Sequence, residues 1–299
     1  TEKLLLYGGA IHLAGAVKAK KGRAGTVSDW MDMERERGIS ITSSVLQFPY
    51  RGFSMNLLDT PGHADFSEDT YRTLHAADAA VMLLDAAKGV EAQTKKLFRV
   101  CKRRNMPIFT FVNKMDRPSR DPFDLIGEVE NVLGIGCYPI TWPVFRGAEF
   151  RGVYHRVNKQ VFLFTRNEGA AGEKEAETLA LSGVDDPRLT AELGEQGHQD
   201  LRDQLELLDA AGDDFDRHRF ESGQVSPMFF GSAYNNFGLS PFLDTFLEIM
   251  PQPAPRRTSA GSIEPDAEEF SAFVFKIQAN MDKAHRDRMA FLRVCSGRF

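Results

Sequence analysis

The chain has 299 residues, 42% hydrophobic and 26% charged, a balance typical of a soluble globular protein with one large or two ordinary domains. Its formal net charge is −5, so composition predicts no sequence-specific nucleic-acid binding and leaves only local basic patches for any contact with RNA. The cysteines Cys101, Cys137 and Cys295 form no CxxC pair, which argues against a disulfide framework or a zinc site and favours a cytoplasmic protein.

The N-terminal stretch 1–17 carries an apolar run of the kind found in secretory signals, but its basic cluster KAKKGR follows the run instead of preceding it. No run reaches the ~18 apolar residues that a membrane span needs. We therefore expect neither a signal peptide nor a membrane contact.

The first part of the chain is predicted to alternate strands with helices. A short helix around Leu4–Leu6 should fade at Gly8, and a charged helix should lie in 29–38 and stop at Gly38. The elements expected next are strands over 39–50 and 52–60, a helix over 63–78, a strand over 79–86, a helix over 91–105, a strand over 107–116 and a helix over 121–133.

The second part changes character. Residues from about 145 to 224 are polar and read as an insertion, with a strand pair near 152–166 and an acidic helix over 186–212. A buried strand over 225–233 and a helix over 239–251 then close a domain that spans 1–252. The Pro-, Ser- and charge-rich stretch 253–267 is predicted to be a linker. Residues 268–299 alternate with period two, like the opening strands of an antiparallel barrel.

Strands that are almost continuously apolar and alternate with helices are typical of a mostly parallel α/β sheet. In such sheets ligands bind at the carboxyl ends of the strands. Candidate functional residues are therefore the polar residues that follow the predicted strands.

The first strand end carries Asp59, Thr60, Pro61, Gly62 and His63. An Asp at this place can hold Mg²⁺ through water, because Mg²⁺ is a hard cation that keeps part of its hydration shell. The glycine lets the backbone approach a terminal phosphate and donate its N–H. The histidine then lies at the phosphate end.

The second strand end carries Asn113, Lys114, Met115 and Asp116, the sequence NKMD. A carboxylate accepts two hydrogen bonds from guanine, whereas adenine offers no such donor pair and is rejected by a site built for those bonds. The aliphatic stem of the lysine can lie over the flat base. The asparagine can tie this loop to a neighbouring phosphate-binding loop.

The third strand end carries Gly231, Ser232 and Ala233, small residues that let a backbone N–H reach the guanine carbonyl oxygen. A hydroxyl for the metal is predicted in the segment RGISIT, where Ser40 is the first candidate and Thr42, on the same strand face, is the second. A hydroxyl that binds Mg²⁺ only when a γ-phosphate is present makes a switch.

Each of these elements has an ordinary structural explanation when taken alone, such as a turn cap or loop polarity. Their order along the chain, each after a predicted buried strand, supplies the context that such motifs require. Together they predict a site for GTP or GDP with Mg²⁺.

These motifs resemble those of the translational GTPases. Four segments, SDWMDMERERGISITSSVLQFPY, LLDTPGHADFSEDTYRTL, GCYPITWPV and FVFKIQANMDKAHRDRMAFLRVCSG, are similar to the class II bacterial release factors over nearly the whole chain. The resemblance implies a P-loop NTPase-type domain, a β-barrel second domain and a third domain. It also implies the ribosome as partner, from which these factors help to release class I release factors after termination.

One feature departs from the family. A P-loop, GxxxxGK[ST], cradles phosphates with its backbone amides, and none occurs in these 299 residues. In the family this motif lies a few residues before the position of Thr1. We therefore expect a piece cut at both ends, without the first strand of the sheet, that is inactive as given.

For the complete factor the resemblance implies GTP hydrolysis by in-line attack of water, with catalysis through positioning and charge stabilisation. Asp59 and Ser40 would hold the metal, the Gly62 amide would bind the γ-phosphate, and His63 would orient the water. Two alternatives stay open, namely another ribosomal GTPase such as elongation factor G or a tetracycline-resistance protein, and a nucleotide-free binding module.

Overall fold

The structure is a computed structural model, and it describes residues 1–11, 43–61, 67–164, 178–212, 214–259, 261–279 and 288–299. The predicted helix over 29–38 lies outside these residues. The helices are α1 (Glu2–Tyr7), α2 (Ser67–Thr73), α3 (Ala92–Lys102), α4 (Pro122–Leu133), α5 (Arg188–Ala211), α6 (Arg217–Glu221) and α7 (Leu239–Ile249). The strands are β1 (Ser44–Tyr50), β2 (Phe53–Asp59), β3 (Ala80–Asp85), β4 (Ile108–Asn113), β5 (Gly136–Pro139), β6 (Thr141–Arg146), β7 (Glu149–His155), β8 (Gln160–Phe164), β9 (Thr178–Leu181), β10 (Val225–Phe230), β11 (Arg256–Thr258), β12 (Gly261–Ile263), β13 (Ser271–Ala279) and β14 (Arg288–Ser296).

A four-stranded sheet in the order β3-β4-β10-β5 forms the centre, and each of its pairings is parallel. The predicted α/β class is therefore confirmed. β4 and β10 are buried on both faces, because helices cover both sides of the sheet. Val112 and Phe230 pack with α3 and α4 on one face, and Phe109 and Phe229 pack with α7 on the other. Because the strands run parallel, their carboxyl ends lie at one edge of the sheet.

The hairpin β1–β2 turns through Arg51 and Gly52, which have φ angles of 45° and 84°. The two strands predicted around YRGF are thus confirmed within the described residues. Among those residues, β2 pairs with β1 alone and not with the parallel sheet. Phe48 and Tyr50 bury against Leu5 in the core on the α7 side.

The polar middle of the chain forms a four-stranded antiparallel sheet, β6-β7-β8-β9, covered by α5. The predicted strand pair and acidic helix are both present, but β6 and β9 were not predicted. β6 begins at Thr141, before the expected insertion, and it is hard to recognise because it is buried without alternation and contains Pro143. Nε2 of the buried His155 lies 2.8 Å from Oγ1 of Thr245 on α7, and burial lowers the pKa of this imidazole to about 4.

The stretch predicted as a linker contains the small hairpin β11–β12, and the last described segments form the antiparallel pair β13–β14. The three cysteines are free thiols. Within the described residues, none of the helices is long and apolar enough to cross a membrane.

Candidate functional site

Three strands of the central sheet end side by side. Asp85, the last residue of β3, is the register partner of Asn113, the last residue of β4. Phe230, the last residue of β10, pairs with Val112 on the other side of β4. The loops that follow these strands therefore leave the sheet at one edge, where a parallel sheet places its ligands.

Ser232 and Asp116 join two of these loops. The Ser232 hydroxyl donates a 2.5 Å hydrogen bond to Oδ1 of Asp116, within the range of charge-assisted O–H···O⁻ bonds. Ser232 is fully buried, and the Asp116 side chain is 13% exposed. The other carboxylate oxygen, Oδ2, lies 3.9 Å from Nε of Arg117. The serine thus fixes the carboxylate orientation while leaving it at the surface of the edge.

Asn113 joins the same loops a second time. Its Oδ1 accepts hydrogen bonds from the backbone N–H of Ala233 at 2.9 Å and from that of Lys114 at 2.8 Å. The sequence predicted that Asn113 would tie its loop to a phosphate-binding loop, whereas among the described contacts it ties that loop to residues 231–233. The sequence predicted that a backbone N–H of residues 231–233 would reach a guanine carbonyl, and the N–H of Ala233 donates to Asn113 instead.

Lys114 spans the edge in the opposite direction. Its backbone has a φ of 70°, and its Nζ lies 2.7 Å from Oδ2 of Asp85. The hydrogen bond from Lys114 is the main reason that the pKa of Asp85 lies below its usual range, and the N–H of Ala87 acts in the same direction. Sequence reasoning missed Asp85, although an acid at the end of a predicted buried strand was the available signal.

Two buried groups fix the loops to the sheet. The Met115 side chain is 1% exposed and lies in the core, while its N–H donates to the carbonyl of Gly231 at 3.1 Å. Met115 therefore acts as an anchor of its loop. A Cβ on Gly231 would lie 2.5 Å from the Phe237 carbonyl oxygen and 2.7 Å from the Phe111 ring, so the close approach here requires glycine.

The remaining predicted site residues lie at the end of β2, in the loop after it, and in the segment before β1. Asp59 ends β2, and the carbonyl of the buried Pro61 accepts a 3.5 Å hydrogen bond from Oγ1 of Thr70 on α2. Thr60, between them, is half-buried. The other predicted residues, Gly62, His63, Ser40 and Thr42, lie outside the described residues. The approach of Asp59 to the other two loops stays a prediction.

The donor set of this edge fits a guanine base. The oriented carboxylate of Asp116 can accept hydrogen bonds from the ring N–H and the amine of guanine. The aliphatic stem of Lys114 can lie over the flat face of the base. Asp59 offers a carboxylate oxygen, which suits Mg²⁺ because this ion binds one or two carboxylates together with phosphate oxygens.

Comparison with known proteins supports this interpretation. The family model of the elongation factor Tu GTP binding domain matches residues 1–252, and that of elongation factor G domain 2 matches residues 269–299. A solved structure from Thermus thermophilus shares the fold with a TM-score of 0.72 at 22% identity, covering 99% of this chain and 43% of that chain.

Two relatives that match the whole chain carry the same name. Peptide chain release factor 3 of Symbiobacterium thermophilum is 58% identical over 299 residues, which are 100% of this chain and 56% of the relative. The protein of the same name from Synechocystis sp. is 58% identical over 301 residues, covering 100% of this chain and 54% of the relative. The chain thus spans about half the length of these relatives.

Proposed function

Because the chain belongs to the elongation factor Tu family of GTP-binding domains, we propose that its strand-end loops recognise the guanine of GTP and GDP in a translation termination factor. The observation that carries the proposal is the paired attachment of Asp116 to Ser232 and of Asn113 to Ala233. Two hydrogen bonds between the same two loops preorganise the acceptor that a guanine would meet, so little ordering remains to be done on binding.

The names of the relatives favour one class of ribosomal GTPase. Proteins 55–58% identical to this chain are named peptide chain release factor 3, which favours termination over translocation or tetracycline resistance. We infer that the complete protein acts on the ribosome in the cytoplasm and promotes the release of class I release factors.

In that protein, GTP hydrolysis would proceed by in-line attack of water on the γ-phosphate, with positioning and charge stabilisation supplying most of the acceleration. Asp59 and Ser40 would hold Mg²⁺, which neutralises charge on the phosphates. The Gly62 amide would donate to the γ-phosphate, and His63 would orient the attacking water once the ribosome has placed it.

The 299 residues contain no GxxxxGK[ST] segment, so phosphate-cradling amides and the P-loop lysine are not supplied by this sequence. We therefore propose that this chain alone hydrolyses no GTP and binds nucleotide weakly, through base contacts. Calorimetric titration of GDP and GTP into the chain tests this, and micromolar binding would contradict it.

The termination role is tested in the complete protein. Purified ribosomes carrying a class I factor after peptide release should lose that factor faster when the protein and GTP are added. The His63→Ala variant should keep GDP affinity and lose ribosome-stimulated hydrolysis. Unchanged dissociation of the class I factor would refute the role, even if GTP is hydrolysed.

A further inference from the structure

The hairpin β13–β14 lies with one face against α2 and the loop that follows it. On β14, Arg293 forms two bonds to the carboxylate of Asp78, at 2.6 and 2.9 Å, and a third to the carbonyl of Ala76 at 3.0 Å. Arg256 from β11 reaches the same Asp78 carboxylate at 3.6 Å. Arg293 thus fastens the second domain, and Arg256 the segment before it, to the chain between α2 and β3.

A second contact on this face is of a different kind. The register between β13 and β14 shifts between Val274 and Lys276, so that Val274 pairs with Leu292 and Lys276 with Phe291. Val274 is 53% exposed, while the Lys276 side chain is 7% exposed. The extra residue of this bulge therefore turns Lys276 onto the docked face, a common effect of β-bulges.

The buried ammonium of Lys276 meets residues from two separate segments. It donates to the backbone carbonyl of Ser43 and lies 3.4 Å from Oδ2 of Asp69 on α2. Ser43 is 3% exposed, its N–H donates to the same Asp69 oxygen, and its Oγ accepts a 3.0 Å hydrogen bond from Oγ1 of Thr73. One lysine of the second domain thus completes a closed polar cluster around Ser43.

The residues of this cluster lie close in sequence to both candidate switch segments. Ser43 directly follows Thr42 and the RGISIT segment, which carries the candidate metal hydroxyls. α2 begins at Ser67, four residues after the last residue of the DTPGH segment, and its Thr70 hydroxyl donates to the carbonyl of Pro61 at 3.5 Å. The cluster therefore ties the exit of one candidate switch segment to the helix that follows the other.

We propose that Lys276 is a positioning residue for the nucleotide site, which holds Ser43 and α2 in register and so couples the docked second domain to the γ-phosphate-sensing segments. The proposal rests on the proposed function for its link to nucleotide. The structural half of the proposal, namely that Lys276 holds Ser43 against α2, depends only on the contacts described above and not on nucleotide binding. A cation this buried is costly to leave unpaired, and here a carboxylate and a carbonyl both pair with it.

The first experiment measures amide hydrogen exchange in this 299-residue chain without nucleotide. Lys276→Met should speed exchange in 43–50 and in α2 by about tenfold or more, the size expected for losing a charge-assisted hydrogen bond. Lys276→Arg should restore most of the protection. The matched control is Arg256→Met, which removes another cation from the same docked surface but makes no contact with Ser43.

Two results would overturn the structural half. One is unchanged exchange in both segments of Lys276→Met. The other is an equal increase of the exchange rate in Arg256→Met, which would mean that Lys276 contributes to docking in the same way as the arginines and has no separate positioning role.

The second experiment uses the complete protein and compares its affinities for GTP and GDP. Lys276→Met should weaken GTP binding by about tenfold and change GDP binding less than about twofold, because only the γ-phosphate engages the switch segments. Equal weakening of both nucleotides would overturn the coupling. If the wild-type protein binds neither nucleotide, the proposed function fails while the exchange result still decides the positioning role.

Discussion

Replacing Ser232 by Ala isolates the bond that orients the candidate guanine-binding carboxylate. The serine is fully buried and its hydroxyl lies 2.5 Å from Oδ1 of Asp116, so the variant removes a hydrogen bond to a charged acceptor. Such bonds contribute about 1.5–3 kcal/mol, against about 0.5–1.5 kcal/mol for neutral pairs. The hydroxyl also accepts from the N–H of Asn235, but at 3.4 Å that contribution is small. We expect Ser232→Ala to lower the free energy of unfolding by about 2 kcal/mol.

The assay is urea denaturation of four proteins, namely the wild type, Ser232→Ala, Asp116→Asn and the double variant. In the Asp116→Asn background the acceptor is neutral, so removing the serine should cost only about 1 kcal/mol. The coupling energy between the two positions should therefore be about 1 kcal/mol, well above the ~0.5 kcal/mol scatter of independent sites. Additive effects of the two substitutions would refute the reasoning that the serine acts through the charge of Asp116.

Three further outcomes follow from the geometry. The pKa of His155 is about 4 in the folded chain and about 6.5 in the unfolded chain, so the unfolded state binds more protons between these pH values. Roughly 3 kcal/mol of stability should therefore be lost as the pH falls from 6.5 to 4. The urea midpoint should fall over this pH range, and His155→Gln should make the midpoint less dependent on pH. Gly231→Ala should lower the free energy of unfolding by about 1–3 kcal/mol, because the added Cβ would lie 2.5 Å from a backbone oxygen. Gly127→Ala inside α4 should be neutral or stabilising by up to about 1 kcal/mol, because its Cβ would have no neighbour within 4 Å. Urea unfolding curves of the two variants compare these effects. Asp85→Asn should cost under about 1 kcal/mol because Lys114 is 46% exposed, and an NMR pH titration of the wild-type carboxyl should place the pKa of Asp85 below its usual range.

Three of the four strands of the central sheet were predictable, because β3, β4 and β10 are apolar runs of strand length that alternate with amphipathic helices; the short β5 was not predicted. β6 and β9 were not predicted, each for its own reason. β6 is buried along most of its length and contains Pro143, while β9 is four residues long and follows a charged stretch. Neither shows the alternation by which a half-buried strand is recognised.

The motifs of the site were predictable from the sequence, but the contacts between them were not. NKMD and GSA identified the two loops, yet the sequence alone does not show that Ser232 bonds Asp116 or that Asn113 bonds Ala233. Lys276 was missed because a one-residue bulge, invisible in the alternating pattern of its strand, decides which face it occupies.

The central claim is that the loops after β4 and β10 form a guanine-binding site, and base preference in the complete protein tests it most directly. Calorimetry should show tight GDP binding with little affinity for ADP or xanthosine diphosphate. Asp116→Asn should reverse the order of GDP and xanthosine diphosphate, because an amide can donate to the carbonyl that xanthine carries in place of the guanine amine. A variant that keeps the wild-type preference, or a wild type that binds ADP equally well, would contradict the account.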